Sequence, residues 1–300
     1  MPAEGLDWLP HEQALTDDEA VRLIAIAVER LGVLEVRFTG GEPLLRRGLA
    51  DIVSRTKDLR PSPDVSLTTN ALGLARTAST LVAAGLDRVN VSLDSIRPAD
   101  FARLTRRDRL HDVIAGLDAA DAAGLHPVKV NAVLLRGIND DQAPELLAWC
   151  LERGYQLRFI EQMPLDAEHG WSRDQMVTAE EILASLATAF TLSPAGQPRG
   201  SAPAEEFLVD GGPATVGVIA SVTRPFCGDC DRVRLTADGQ VRDCLFASAE
   251  SDLRTPMRAG ATDAELAELW RSAMLGKRAG HGIDDPTFLQ PDRPMSAIGG

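Results

Sequence analysis

The chain has 300 residues, 44% hydrophobic and 25% charged, enough to bury one large core or two modest ones. Its net charge of -13 excludes non-specific attraction to nucleic acid or to an anionic membrane, so any anionic ligand must be met by a local cluster of base. No run approaches the roughly 20 apolar residues of a membrane span, and "MPAEGLDWLPHEQ" has neither a basic leader nor an apolar core, which makes the cytoplasm the expected compartment.

In chain order, "TDDEAVRLIAIAVERLG" opens on a capping box, Thr16 followed three residues later by Glu19, and stops at Gly32, which predicts a helix. A short strand, "LEVRF", follows. Strand patterns then recur at "VSLTT" (65–69), "RVNVSL" (88–93), "PVKVNAVLL" (127–135) and "YQLRFI" (155–160), with helical patterns between them near 46–58, 76–84, 98–123 and 140–153. This alternation predicts parallel βα units, either an open sheet or a (βα) barrel. The rhythm breaks after about residue 190, where "SPAGQPRGSAPAEE" reads as a loop, so the expected domains are 1–190 and 191–300.

Alternate residues of a strand share a face. One face of every strand is apolar, as in Val36 and Phe38 or Val89, Val91 and Leu93. The other carries Arg37 and Thr39, then Ser66, Thr68 and Asn70, then Asn90, Ser92 and Asp94, then Lys129 and Asn131, then Gln156, Arg158 and Gln162. A barrel interior is usually filled with branched apolar side chains, so a polar interior implies a wet cavity for a polar ligand. An antiparallel sheet with one solvated face gives the same alternation.

"FTGGEPLLRR" joins the first of these strands to a helix. Gly40 and Gly41 let backbone approach a ligand closely, Glu42 offers a carboxylate, and the nearby helix start favours anions; a plain βα turn reads the same way. Lys129 and Arg158 sit mid-strand on the polar face. Each needs either an acid, such as Asp94, or an anionic ligand. Together with Arg37 they point to phosphate.

"RPFCGDCDRVRLTADGQVRDCLF" (224–246) places Cys227, Cys230 and Cys244 among arginines. Cys150, within "LLAWCLERG", reads as an inert core thiol, and His169 and His281 lack metal-ligand spacing relative to the cysteines. Two arrangements stay open, a four-ligand zinc clip and a three-cysteine iron-sulfur cluster whose last iron faces a ligand. Arg232 and Arg234 alternate after Cys230 and supply base on one side.

Taken together, "MPAEG", "FTGGEPLLR", "LTTN", "NVSLDS", "VKVNAVLLRGIND", "LRFIEQMP", "FCGDCDRVRL" and the final "GG" resemble the GTP 3',8-cyclases of molybdenum cofactor biosynthesis, radical S-adenosylmethionine enzymes, over essentially the whole chain. The resemblance implies an α/β fold, an incomplete (βα) barrel with a C-terminal α+β region covering its opening and carrying a second 4Fe-4S cluster. It assigns Cys227, Cys230 and Cys244 to that cluster. It assigns Arg37, Thr68, Lys129, Arg158, Arg232, Val233 and Arg234 to GTP, and Gly41, Glu42, Ser92 and Met163 to S-adenosylmethionine. Gly299 and Gly300 match a tail that reaches the active site. It further implies GTP and S-adenosylmethionine as ligands and an electron donor the sequence does not identify. The product would pass to cyclic pyranopterin monophosphate synthase. A homodimer is compatible with it, and neither nucleic acid nor membrane is a partner.

In the family, a C-x-x-x-C-x-x-C that holds a first 4Fe-4S cluster precedes Met-Pro. Residues 1–300 open on Met-Pro and contain no such triplet, so the expectation is a chain without radical activity of its own, or one whose start lies further upstream. A GTP-binding iron-sulfur protein lacking radical chemistry is the alternative that follows.

Overall fold

The computed structural model describes residues 9–166, 169–196, 198–278, 280–285 and 288–299. Helix α1 (Asp17–Leu31) begins as the sequence predicts. The Thr16 hydroxyl accepts from the Glu19 N–H at 3.1 Å, the Glu19 carboxylate accepts from the Thr16 N–H at 2.9 Å, and Gly32 ends the helix at φ 75°. The same device starts two later helices at Thr178–Glu181 and Thr262–Glu265.

Strand β1 (Glu35–Phe38), α2 (Leu49–Lys57), β2 (Asp64–Thr69), α3 (Leu74–Ala83) and β3 (Arg88–Ser92) follow. The single helix predicted over 98–123 is two, α4 (Pro98–Thr105) and α5 (Leu110–Ala122). Arg106 turns left-handed at φ 58°, and the Thr105 hydroxyl donates back to the Phe101 carbonyl while accepting from Arg107 N–H, which diverts the backbone from continuing the helix. Then come β4 (Lys129–Val133), α6 (Ala143–Glu152) and β5 (Gln156–Ile160). Strands β1 to β5 lie side by side in chain order and all pair in parallel. The antiparallel alternative therefore does not hold for them.

Beyond α7 (Ala179–Leu186), β6 (Leu192–Pro194), β7 (Glu205–Val209) and β8 (Thr215–Ile219) join the same sheet. Strand β8 pairs parallel to β5, and β7 and β6 add antiparallel outside it. The Pro/Gly-rich segment is thus a connection within one eight-stranded sheet, which runs on past residue 190. The sheet is not closed: β1 and β6 stand at its two ends.

The period-2 reading of the strands explains the packing. Val65, Leu67, Val89, Val91, Val130, Leu157 and Phe159 are buried in one core with the helix side chains Leu81, Leu117 and Leu146. The polar residues are left on the other face. The chain then forms a small three-stranded sheet, β9 (Arg234–Leu235), β10 (Gln240–Arg242) and β11 (Ser251–Asp252), followed by α8 (Arg254–Arg258), α9 (Asp263–Leu275) and α10 (Met295–Ile298). This region docks on α1: Leu15, Leu23, Ile26 and Ala27 share a second core with Val241, Leu253, Met257, Leu266 and Trp270. Each such fully buried large side chain contributes about 1.5–3 kcal/mol, so the C-terminal region is held firmly beside the β1 end of the open sheet. Among the described residues no helix is long and apolar enough to cross a membrane.

Candidate functional site: a cation-lined cavity

A cavity of about 3490 Å³ lies on the polar face of the sheet, between the β1 end and the C-terminal region. Arg37, Lys129 and Arg158 line it from the sheet, and Arg232 and Arg234 from the segment after Cys230. In a chain of net charge -13, this is where the base is gathered.

Strand register places the polar side chains in rows. Thr68, Asn90, Lys129 and Gln156 face one another across β2 to β5, and Ser92, Asn131, Arg158 and Gly217 across β3, β4, β5 and β8. Arg158 is only 9% exposed. Its Nε donates to Asn131 Oδ1 at 3.0 Å and its NH2 to Asn90 Oδ1 at 2.7 Å, and among the described residues no carboxylate forms an ion pair with it. Burial, then the charges of Arg37 and Arg88, bring its guanidinium down to about 10, against the pull of Glu206. Asn90 also donates to the Thr68 hydroxyl at 3.3 Å, so Thr68 joins the same network.

Lys129 is held below its ordinary value by burial first and by Arg158 second. It is not paired with Asp94, whose Oδ1 accepts from the Val133 N–H at 2.8 Å. Arg37 is reached by solvent yet flanked by protein on the cavity wall. Burial, then Arg88 and Arg232, lower it, and its Nε donates to Ser66 Oγ at 3.4 Å. Arg234 is brought down to about 10 by burial and then by Arg232, and its Nε donates to the Gly299 carbonyl at 3.1 Å. Burying several cations together is costly unless an anion completes the site. Val233, between Arg232 and Arg234, packs its side chain against the second core and so holds the two arginines in place.

The loop after β1 is built for close approach. Gly40 adopts φ 124°. The Glu42 carboxylate is engaged within the fold: Oε1 accepts from Leu44 N–H at 3.1 Å and from the Thr69 hydroxyl at 2.6 Å, and Oε2 from Asn70 N–H at 2.9 Å. The chain's end lies against this loop. A Cβ on Gly299 would stand 3.0 Å from Thr39 Cγ2, and one on Gly41 would stand 3.4 Å from the Ser296 carbonyl oxygen. Arg293 anchors the tail, donating to Asp238 at 3.0 Å and Glu250 at 2.9 Å. Gly300 falls outside the described residues. Gly41, Ser92 and Met163 all follow or end parallel strands (β1, β3 and β5), so they share the carboxyl edge of the sheet; Ser92 is exposed and Met163 packs against the small buried cluster of Met176, Val222 and Ile283.

Cys227 and Cys230 sit in a 3-10 turn between β8 and β9, and Cys244 follows β10. Among the described residues no group of three or more His, Cys, Asp or Glu side chains is set to hold a metal ion. Cys227 nevertheless senses the other two cysteines. Burial, then Cys244, raise the Cys227 thiol. For Cys230 burial pulls upward, but the Arg232 N–H and the charges of Arg232 and Lys277 outweigh it and bring the thiol below its ordinary value. Three soft donors beside two cations fit a thiolate-held cluster. Of the other metal-ligand candidates, Cys150 is fully buried on α6 with its thiol pushed up to about 12 by burial. Both ring nitrogens of His281 are used within the fold, Nε2 at 2.9 Å from the Ser221 carbonyl and Nδ1 accepting from Ile283 N–H. His169 is exposed.

Several residues of the site carried no assignment from sequence. Asn90 and Asn131 lay on the predicted polar face, but their grip on Arg158 is a cross-strand fact. Arg88 also lines the cavity, and alternation with Asn90 and Ser92 could have found it; it is neutralised by Asp64. Glu161, 1% exposed, accepts from the N–H groups of Ala179, Val222 and Thr223 and from the Thr223 hydroxyl, and so secures the segment leading to Cys227.

Two family models divide the chain: the radical SAM superfamily matches residues 6–150, and the molybdenum cofactor synthesis C family matches residues 155–283. A GTP 3',8-cyclase of Streptomyces coelicolor is 67% identical across the whole of this chain and 88% of its own length. GTP 3',8-cyclase 2 of Mycobacterium tuberculosis H37Rv is 61% identical across the whole chain and 84% of its own length. A solved radical SAM methyltransferase from Sphaerobacter thermophilus overlaps 76% of this chain and 62% of its own at 18% identity and TM-score 0.49. Identity of this extent, spanning both the strand-borne cations and the cysteine segment, shows that the chain belongs to the GTP 3',8-cyclase family of radical SAM proteins.

Proposed function

We propose that this protein serves the conversion of GTP to 3',8-cyclo-7,8-dihydro-GTP, the opening step of molybdenum cofactor biosynthesis, with S-adenosylmethionine as co-substrate. The observation that carries the reading is Arg158, buried on neutral amide oxygens with no carboxylate ion-paired to it among the described residues, in a cavity it shares with Lys129, Arg37, Arg232 and Arg234. A triphosphate supplies the missing negative charge. Arg158 and Lys129 would bind it from the sheet floor, Arg37 from β1, and Arg232 and Arg234 from the opposite wall, with Thr68 oriented by Asn90 to offer a hydroxyl. Val233 would keep Arg232 and Arg234 facing inward.

S-adenosylmethionine would lie along the carboxyl edge of the sheet, against the backbone at Gly41, the Ser92 hydroxyl and the Met163 side chain. Glu42 acts there by shaping the loop, since its oxygens are bound to Leu44, Thr69 and Asn70. Cys227, Cys230 and Cys244 would hold a 4Fe-4S cluster beside the cations, and Lys277 and Arg232 favour the thiolate form of Cys230. When bound, the cluster and S-adenosylmethionine supply the radical chemistry and an iron to meet the base. The chain's own part is to fix the nucleotide, neutralise its charge and exclude water. The tail at Gly299, seated on Thr39 and Gly40, lines the cavity beside that loop. The division into residues 1–190 and 191–300 is a functional one in this reading, the first bearing the S-adenosylmethionine edge and the second the cysteines.

The test is anaerobic titration calorimetry of GTP into the cluster-loaded protein, followed by mass spectrometry of the nucleotide after addition of S-adenosylmethionine and reductant. Saturable GTP binding that competes with inorganic triphosphate supports the reading. Absence of GTP binding overturns it.

A further inference from the structure

Gly217 stands at the centre of β8, directly beside Arg158 of β5 on one side and Glu206 of β7 on the other. Its backbone does not require glycine, because its φ lies outside the left-handed range. Its neighbours do. A Cβ at this position would lie 2.9 Å from Arg158 Cγ, closer than such carbons approach one another, and 3.1 Å from Ala204 Cβ, a tight contact that a small shift relieves. Glycine inside a strand weakens it and is found where another group must come close. Here that group is the aliphatic stem of Arg158, which passes over Gly217 before its guanidinium reaches Asn131 and Asn90.

We propose that Gly217 is a positioning residue of the anion site, its missing side chain forming the slot that sets the path of Arg158. The inference rests on the reading of Arg158 as a phosphate contact. A methyl at 217 forces the Arg158 Cγ aside, turning the stem out of its rotamer and drawing the guanidinium off the two amide oxygens. The cavity then keeps its charge but loses the direction in which that charge is presented.

The experiment is a double-mutant cycle on the full, cluster-loaded chain, comparing the parent, Gly217→Ala, Arg158→Ala and the double variant by GTP calorimetry and thermal melting. Gly217→Ala is expected to weaken GTP binding about tenfold, an off-rotamer stem plus a weakened charge-assisted hydrogen bond. Arg158→Ala also weakens it. The double variant should bind no more weakly than Arg158→Ala alone, and the melting penalty of the added methyl should shrink once the Arg158 stem is gone. Parental GTP affinity in Gly217→Ala overturns the proposal, and so does a double variant in which the two losses simply add. If Arg158→Ala leaves GTP affinity intact, the phosphate reading is what fails; the slot is then judged on melting alone, coupled penalties supporting it and additive ones overturning it. If Gly217→Ala does not fold, a folded double variant supports the slot, and an unfolded one places the clash elsewhere and overturns it.

Discussion

The Glu42 carboxylate accepts the Thr69 hydroxyl at 2.6 Å, which ties the glycine-rich loop after β1 to the last residue of β2. With Leu44 and Asn70 N–H on the same carboxylate, the loop is clasped to the neighbouring strand rather than left to sample conformations. The tail residue Gly299 packs on Thr39 and Gly40 of this clasped loop, so Glu42 sets the seat of the chain's end as well.

Glu42→Ala should therefore destabilise the protein by about 2–3 kcal/mol, since it removes a charged acceptor and leaves two partly buried N–H groups unpaired. Urea unfolding measures this. Glu42→Gln keeps one acceptor oxygen and should lose less. Equal stability of parent and Glu42→Ala would show the clasp to be incidental.

Lys129→Ala and Arg158→Ala should each weaken GTP binding by about 1–3 kcal/mol through loss of a charge-assisted contact. Both groups lose protons more readily than usual, Lys129 and Arg158 each chiefly because of burial. Only the protonated forms attract phosphate, so affinity should be complete near neutrality and fall as pH rises toward 10, the value to which Arg158 is lowered. Calorimetry across that range checks the direction. Affinity that climbs with pH would contradict the site.

Anaerobic reconstitution should load a single 4Fe-4S cluster on residues 1–300, read by iron and sulfide assay. Cys244→Ala should abolish stable loading. Cys150→Ala should leave it unchanged, because that thiol is sealed in the core on the buried face of α6 and kept protonated by burial. Stoichiometric zinc without iron would favour the metal clip that the cysteine spacing alone left open.

Burial pushes the Asp94 carboxyl up to about 6, with the Val133 N–H opposing the shift. An aspartate in the unfolded chain titrates near 4, so the fold favours the protonated form, and that contribution is whole below about pH 4 and is lost as pH rises through about 6. Asp94→Asn keeps an acceptor for Val133 and never ionises. Relative to the parent it should gain up to about 3 kcal/mol between about pH 4 and pH 8. Chemical denaturation at the two pH values tests this; a constant difference between the proteins would rule it out.

What the sequence determined by itself is whatever depends on neighbours along the chain. Thr16 and Glu19 cap α1 because their side chains are three residues apart on one helical turn. Val89 and Val91 turn to the core while Asn90 turns away because strand side chains alternate. Cys227 and Cys230 share a turn because two residues separate them. Those local rules, with the family resemblance, were enough for the parallel βα order, the polar face and the cysteine segment. Only the tertiary structure decided which strand stands beside which. Pairing of β8 with β5, across a Pro/Gly-rich segment that reads as a boundary, puts Gly217 against Arg158 although 59 positions separate them in the chain. Docking of the C-terminal region on α1 brings Arg234 to Gly299 and Gly299 to Thr39. Contacts of this kind depend on sheet order and on the burial of a shared core, and neither the spacing of residues nor their local propensity encodes the distance between them.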